Sequence, residues 1–205
     1  MAFVITVAQQ KGGAGKTMLA ASLAAAYAAT RRVALLDIDP QHSLSRWHAL
    51  RPAAVPAITL SDLSGWRLAT EIERLRREHD LLIVDSPPHV DTDARLAIRA
   101  AGLVLVPVQP SAPDLWAATA TLDLARAERR TARLVFNRVA GAALRAPIAA
   151  ELARLRQTPV AARLGNRIGF ANAFAQGLGV TEAAPRSLAA KELQALADEI
   201  AELLA

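Results

Sequence analysis

The sequence predicts an α/β doubly wound fold: a mostly parallel sheet flanked by helices. Three observations carry that prediction. Short apolar runs alternate with helix-like stretches along the chain, the order that builds parallel sheets. The runs Leu81–Asp85 (LLIVD) and Leu103–Val108 (LVLVPV) are apolar on both faces, as strands covered by helices on each side must be. A glycine-rich segment, Gln10–Thr17, joins the first apolar run to the first helical stretch.

Taken in order, the expected strand Phe3–Ala8 ends at that glycine segment, and the alanine-rich helix Lys16–Ala29 follows it. Val33–Asp37 (VALLD) is the second strand, with a helix over Ser43–Leu50. Ala57–Leu60 is a short third strand before a helix over Trp66–His79. The two runs apolar on both faces come next, each with its helix, Asp91–Ala101 and Pro113–Arg129. Ala132–Asn137 is the sixth strand, ahead of a helix over Leu144–Leu155. A weak strand near Val160–Ala162 precedes helices over Asn166–Gln176 and Ser187–Leu204. In the last helix, Leu193, Leu196, Ile200 and Leu203 recur at helical spacing opposite Glu192, Asp198, Glu199 and Glu202. A membrane-surface helix has a basic polar face, so this acidic one is expected to pack on the body of the domain.

Composition limits the function. The 205 residues suit one domain, 1–205, with a substantial core. There is no internal repeat, low-complexity tract or long linker. No apolar run is long enough for a membrane span, and a cleaved leader would delete the glycine segment, so none is expected. The absence of cysteine excludes disulfides, thiol catalysis and cysteine-held clusters. A formal charge of +5 favours polyanions such as nucleic acid, although an arginine-rich solvated surface explains it equally. Only three residues are lysine, and two of them, Lys11 and Lys16, share one loop. Where arginine serves as the general cation, that choice points to sites needing a slim ammonium among close-packed amides.

The loop reads Gln10-Lys11-Gly12-Gly13-Ala14-Gly15-Lys16-Thr17. It meets the P-loop spacing in relaxed form, with Gln10 at the first glycine position. Glycines let the backbone fold round phosphates and aim its N–H groups inward, and the helix N-terminus adds positive potential. Lys16 can reach the β- and γ-phosphates, and the Thr17 hydroxyl can ligate Mg²⁺. Asp85 ends an apolar strand, where a carboxylate can hold Mg²⁺ through a water.

The run KGGAGKT resembles the deviant Walker A signature of the ParA/MinD ATPases, with Lys11 as its extra lysine. The resemblance implies bound ATP or ADP along Lys11, Gly12, Gly13, Ala14, Gly15, Lys16, Thr17 and Met18. It also implies an ATP-sandwich homodimer in which Lys11 crosses to the partner's phosphates. Asp37-Ile38-Asp39-Pro40-Gln41 is similar to the family's switch I, which gives Asp39 a role in hydrolysis and beside the metal with Thr17 and Asp85. Leu81–Pro88 (LLIVDSPP) is similar to its Walker B and switch II. Leu134–Arg138 (LVFNR) resembles the strand whose end contacts adenine, with Asn137 as the contact. The segments Asn172–Gly179 and Ala183–Leu193 resemble the closing helices of short ParF-type members. Met18 departs from the second threonine of many relatives and supplies no hydroxyl there.

The resemblance implies a cytoplasmic, nucleoid-associated ATPase that segregates or positions a plasmid, chromosome or large protein cargo. It would bind DNA without sequence preference, and a ParB-like or other adaptor would stimulate slow hydrolysis. Candidate DNA contacts are Arg138, Arg145, Arg163, Arg167, Arg186 and Lys191. The alternatives are a MinD-like membrane-associated ATPase and a metabolic ligase of dethiobiotin-synthetase type. The acidic last helix weighs against the first and Lys11 against the second.

Overall fold

A computed structural model describes residues 2–89, 91–141 and 146–204. Seven parallel strands form one sheet in the order β3-β2-β4-β1-β5-β6-β7. They are β1 Phe3–Val7, β2 Val33–Asp37, β3 Thr59–Ser61, β4 Leu81–Asp85, β5 Leu103–Val108, β6 Thr131–Val139 and β7 Arg163–Gly165. The helices are α1 Lys16–Ala28, α2 Ser43–Ala49, α3 Leu68–Glu78, α4 Thr92–Ala100, α5 Ala112–Ala127, α6 Ala146–Leu155, α7 Ile168–Phe174, α8 Val180–Ala183 and α9 Leu188–Leu204.

The two-faced apolar strands are buried throughout, β4 and β5 at every residue. Ile5, Leu35, Ile83 and Leu105 face a core shared with α1, α2, α7 and α9. Val104, Val106, Leu134 and Phe136 face α5 and α6, and Val4, Leu36, Leu82 and Val84 face α3. Each fully buried leucine or isoleucine contributes about 1.5–3 kcal/mol. α1 has apolar residues nearly all round, because the sheet lies under it and α9 over it. Tyr27 seals that contact by donating its hydroxyl to the Ala197 carbonyl at 2.7 Å.

Several boundaries differ from the sequence reading, each for a local reason. The seventh strand forms at Arg163–Gly165, not at Val160–Ala162. Val160 is buried and bonds the Leu134 carbonyl, but the ladder with β6 begins three residues later. The third strand is Thr59–Ser61 and not Ala57–Leu60. Trp66 lies in a 3-10 turn, Gly65–Arg67, ahead of α3. The short α8 was not expected; it starts where Glu182 accepts from the Gly179 N–H at 2.8 Å. The expected start of the sixth helix, Leu144, lies outside the described residues, as does the candidate Arg145.

Two glutamates of the acidic face of α9 are used internally. Glu199 accepts from the N–H groups of Ala161 and Ala162 at 2.7 and 2.9 Å. Glu192 accepts from the Gly165 N–H at 2.9 Å and pairs with Arg167 at 2.7 Å. The helix therefore packs on the domain, as its pattern predicts. Among the described residues, no helix is long and apolar enough to cross a membrane.

Candidate nucleotide-binding site

The site lies at the carboxyl ends of the central strands, where doubly wound sheets place ligands. β1 stops at Val7, and the loop turns through Gly13 (φ 76°) and Gly15 (φ 92°) into α1. Gly15 caps α1 in a left-handed conformation that glycine adopts without steric cost. A Cβ at Gly15 would collide with the Asn137 amide. Gly12 and Gly13 are exposed, and α1 presents its N-terminal amides to whatever occupies the loop.

Strand register gathers the acidic groups beside the loop. Val7 and Asp37 each sit opposite Asp85 in the ladders. Asp37 is satisfied, accepting from the Ser45 N–H and hydroxyl at 2.8 Å each and from the Asp39 N–H at 3.2 Å. It thus ties the switch-like segment to the start of α2. Asp39 is half-buried and accepts from the Gln41 N–H at 3.0 Å.

Asp85 is fully buried, and neither carboxylate oxygen has a hydrogen-bond partner. Burial pushes its pKa up to about 7; the Thr17 hydroxyl pulls down, Asp37 pushes up, Lys16 pulls down and Asp39 pushes up. Thr17 and Lys16 lie close enough to act on the charge without completing a hydrogen bond to it. Burial likewise lowers the Lys16 ammonium, opposed by Asp85 and Asp39. Orphaned carboxylate oxygens beside a hydroxyl are the hard donors that Mg²⁺ takes. Among the described residues, no three His, Asp or Glu gather as a metal set. Thr17 and Asp85 thus fit a cation that keeps waters and shares phosphate oxygens.

Two cavities adjoin at the loop. A cavity of about 290 Å³ is lined by Gly12, Gly13, Gly15, Lys16, Thr17 and Asp39, among others. A larger one of about 810 Å³ is lined by Asn137, Asn166, Phe170 and Ala171, among others. Met18, Arg138 and Phe174 line both. The smaller cavity, walled by glycines with Lys16 and Thr17, suits a phosphate chain, and the larger, with Ile168, Phe170 and Phe174 in its wall, suits a base. Met18 sits where they meet, its sulfur accepting from the Ser22 hydroxyl at 3.5 Å. Asn137 is fully buried and donates its amide to the Ala14 carbonyl at 3.0 Å, so it braces the loop besides lining the base-sized cavity.

Lys11 does not line the cavity of its own loop. Its ammonium lies 2.7 Å from Asp114 in the first turn of α5. Asp114 is buried, and its carboxylate also accepts from the Ser111 hydroxyl at 2.5 Å. Burial raises the Asp114 pKa, but the bonds from Lys11 and Ser111 outweigh it and hold the carboxyl below the usual range. Sequence reasoning missed Asp114, which lies 103 positions from Lys11. The available signal was local: Ser111 and Asp114 have the spacing of a helix start.

Among the other described basic candidates, only Arg138 lines the phosphate-sized cavity. Arg163 and Arg167 line a further cavity with Glu192, and Arg167 also lines the base-sized one. Arg186 and Lys191 are exposed at the start of α9. Arg138 donates to the Gly13 carbonyl at 3.1 Å and so belongs to the loop.

Residues 5–180 match the family described as the CobQ/CobB/MinD/ParA nucleotide binding domain. The chain is 30% identical over 215 residues to maintenance of carboxysome distribution protein A of Halothiobacillus neapolitanus, covering 99% of this chain and 95% of that protein. It is 34% identical over 136 residues to the chromosome-partitioning ATPase Soj of Thermus thermophilus, covering 51% of this chain and 54% of that protein. The fold is that of the cell division ATPase MinD of Pyrococcus furiosus, with a TM-score of 0.84 at 20% identity, covering 99% of this chain and all of that one. A seven-stranded parallel sheet, a glycine loop between β1 and α1 and carboxylates at the ends of β2 and β4 are thus joined by sequence likeness across most of the chain: it belongs to the CobQ/CobB/MinD/ParA nucleotide-binding family.

Proposed function

We propose that this protein is an ATPase that positions a large cargo by switching between an ATP-closed homodimer and an open form. One observation carries the reading. The loop bears two lysines, and only Lys16 lines the phosphate-sized cavity; Lys11 points away from it, held by Asp114. A second ammonium outside its own site is available to a neighbouring subunit's site. The end-to-end likeness to a carboxysome distribution protein supports positioning over metabolism.

In this mechanism Lys16 and the amides of the loop hold the β- and γ-phosphates. Thr17 and Asp85, with Asp39 beside them, would hold Mg²⁺, which would draw charge off the phosphate oxygens. Asp39, anchored through Asp37 and α2, positions the water that attacks the γ-phosphate. Positioning and charge stabilisation supply the rate. Lys11 from the second subunit completes the site, so hydrolysis and dimer closure are coupled.

We further assign the basic surface, with Arg163, Arg167, Arg186 and Lys191 as candidates, to DNA held without sequence preference. An adaptor protein would trigger hydrolysis and release. This places the protein in the cytoplasm on the nucleoid. Glu192 and Glu199 of α9 bond the N–H groups of Gly165, Ala161 and Ala162, which speaks against a membrane-binding tail.

The test is sedimentation and DNA retention with and without ATP. A shift from monomer to dimer with ATP, and retention that falls steeply with salt, bear the reading out. A dimer indifferent to nucleotide, turning over a small acid, would replace it with the ligase alternative.

A further inference from the structure

β6 and β7 pair at Phe136↔Arg163 and again at Val139↔Gly165, so β6 spends three steps where β7 spends two. The extra residue makes a bulge at Asn137–Arg138. Arg138 has φ 54°, a left-handed conformation uncommon for a residue with a side chain. In a regular strand, adjacent side chains point to opposite faces. Here both turn to one loop. Asn137 donates to the Ala14 carbonyl at 3.0 Å, and Arg138 donates to the Gly13 carbonyl at 3.1 Å. The Arg138 N–H also bonds the Asn137 side-chain oxygen at 2.9 Å, which locks the pair. Bulges next to functional sites re-aim side chains in this way.

Only one guanidinium nitrogen of Arg138 is used on Gly13. The side chain is exposed and lines both cavities, at the junction of the phosphate-sized and base-sized spaces. A nucleotide filling both spaces would bring its phosphate chain past this point. We propose that Arg138 is a nucleotide-binding residue, clamping the glycine loop through the Gly13 carbonyl while its remaining N–H groups grip the phosphate chain. This rests on the nucleotide-site reading above and removes Arg138 from the DNA surface. Bidentate geometry is what arginine offers and lysine lacks. The left-handed backbone, by contrast, belongs to the bulge, and unbranched glutamine or lysine can adopt it about as readily as arginine.

The experiment compares the parent protein with Arg138→Gln and Arg138→Lys by calorimetric titration with Mg-ATP. Nucleotide-free melting is recorded for each variant. Loss of a charge-assisted bond to phosphate predicts that the Gln variant binds ATP about tenfold more weakly. The Lys variant should recover part of that loss, and without nucleotide the three proteins should melt within a few degrees of one another, because the exposed bond to Gly13 contributes little. A Gln variant that binds ATP like the parent overturns the assignment, above all if it also loses DNA retention. Equal losses in the Gln and Lys variants, with lowered melting, also overturn it, because the residue would then be only a brace. A parent protein that binds no ATP would defeat the nucleotide reading itself, a result separable from either of these.

Discussion

The Lys11 ammonium and the Asp114 carboxylate, 103 positions apart in sequence, meet at 2.7 Å across the gap between the glycine loop and α5. The aspartate is buried while the lysine side chain keeps 41% of its exposure. Removing the lysine leaves a buried carboxylate with Ser111 as its remaining partner. Lys11→Ala should therefore lower nucleotide-free stability by about 1–2 kcal/mol, discounted for the exposed partner. It should spare ATP binding and impair dimer closure. Asp114→Asn weakens the hold on Lys11, so the ATP-dependent dimer should form at lower protein concentration. Denaturant titration and analytical ultracentrifugation read both effects. An Asn variant that dimerises no more readily than the parent would count against the tether.

Lys16→Ala should abolish ATP binding, because it removes the buried ammonium at the start of α1 that lines the phosphate-sized cavity. Asp39→Ala should keep ATP binding and stop hydrolysis, trapping the dimer. Calorimetry and phosphate release separate the two. Normal turnover in the Asp39 variant would overturn its assigned role.

Asp85 gives a prediction in pH. Its carboxyl titrates near 7 in the fold, against about 4 when unfolded. A raised pKa means that the folded state binds the proton more tightly. Magnesium-free protein should therefore be most stabilised by this group at low pH and lose that contribution as pH rises from about 4 through about 7. The loss is at most about 4 kcal/mol. Asp85→Asn should flatten that slope and raise stability at pH 8 in chelator, yet lose magnesium-dependent ATP binding. Urea midpoints measured across pH check it. A slope unchanged in the Asn variant would mean the carboxylate is solvated.

Gly15→Ala places a methyl group against the Asn137 amide at a left-handed position. Strain of about 1–3 kcal/mol is expected there, together with loss of ATP affinity. The same change at Gly12 meets open space and should be mild. Thermal melting of the two variants distinguishes them.

The legible parts of this protein are those in which chemistry and sequence distance coincide. The loop lies in one run of eight residues, and the carboxylates Asp37 and Asp85 each end a strand whose apolar pattern is plain. β7 was misplaced because Arg163 and Gly165 do not look like strand residues; the ladder is set by β6 and by Glu192. Asp114 and the bond from Arg138 to Gly13 stayed hidden because each joins partners over 100 positions apart. A list of cations cannot show which ones the fold spends on its own backbone.

The glutamates of α9 occupy the N–H groups of Ala161, Ala162 and Gly165, along the outer edge of the sheet. A sheet margin already filled by carboxylates offers no ladder to an incoming chain. The opposite margin, β3, is only three residues long. Both borders are thus poor templates for strand-by-strand aggregation.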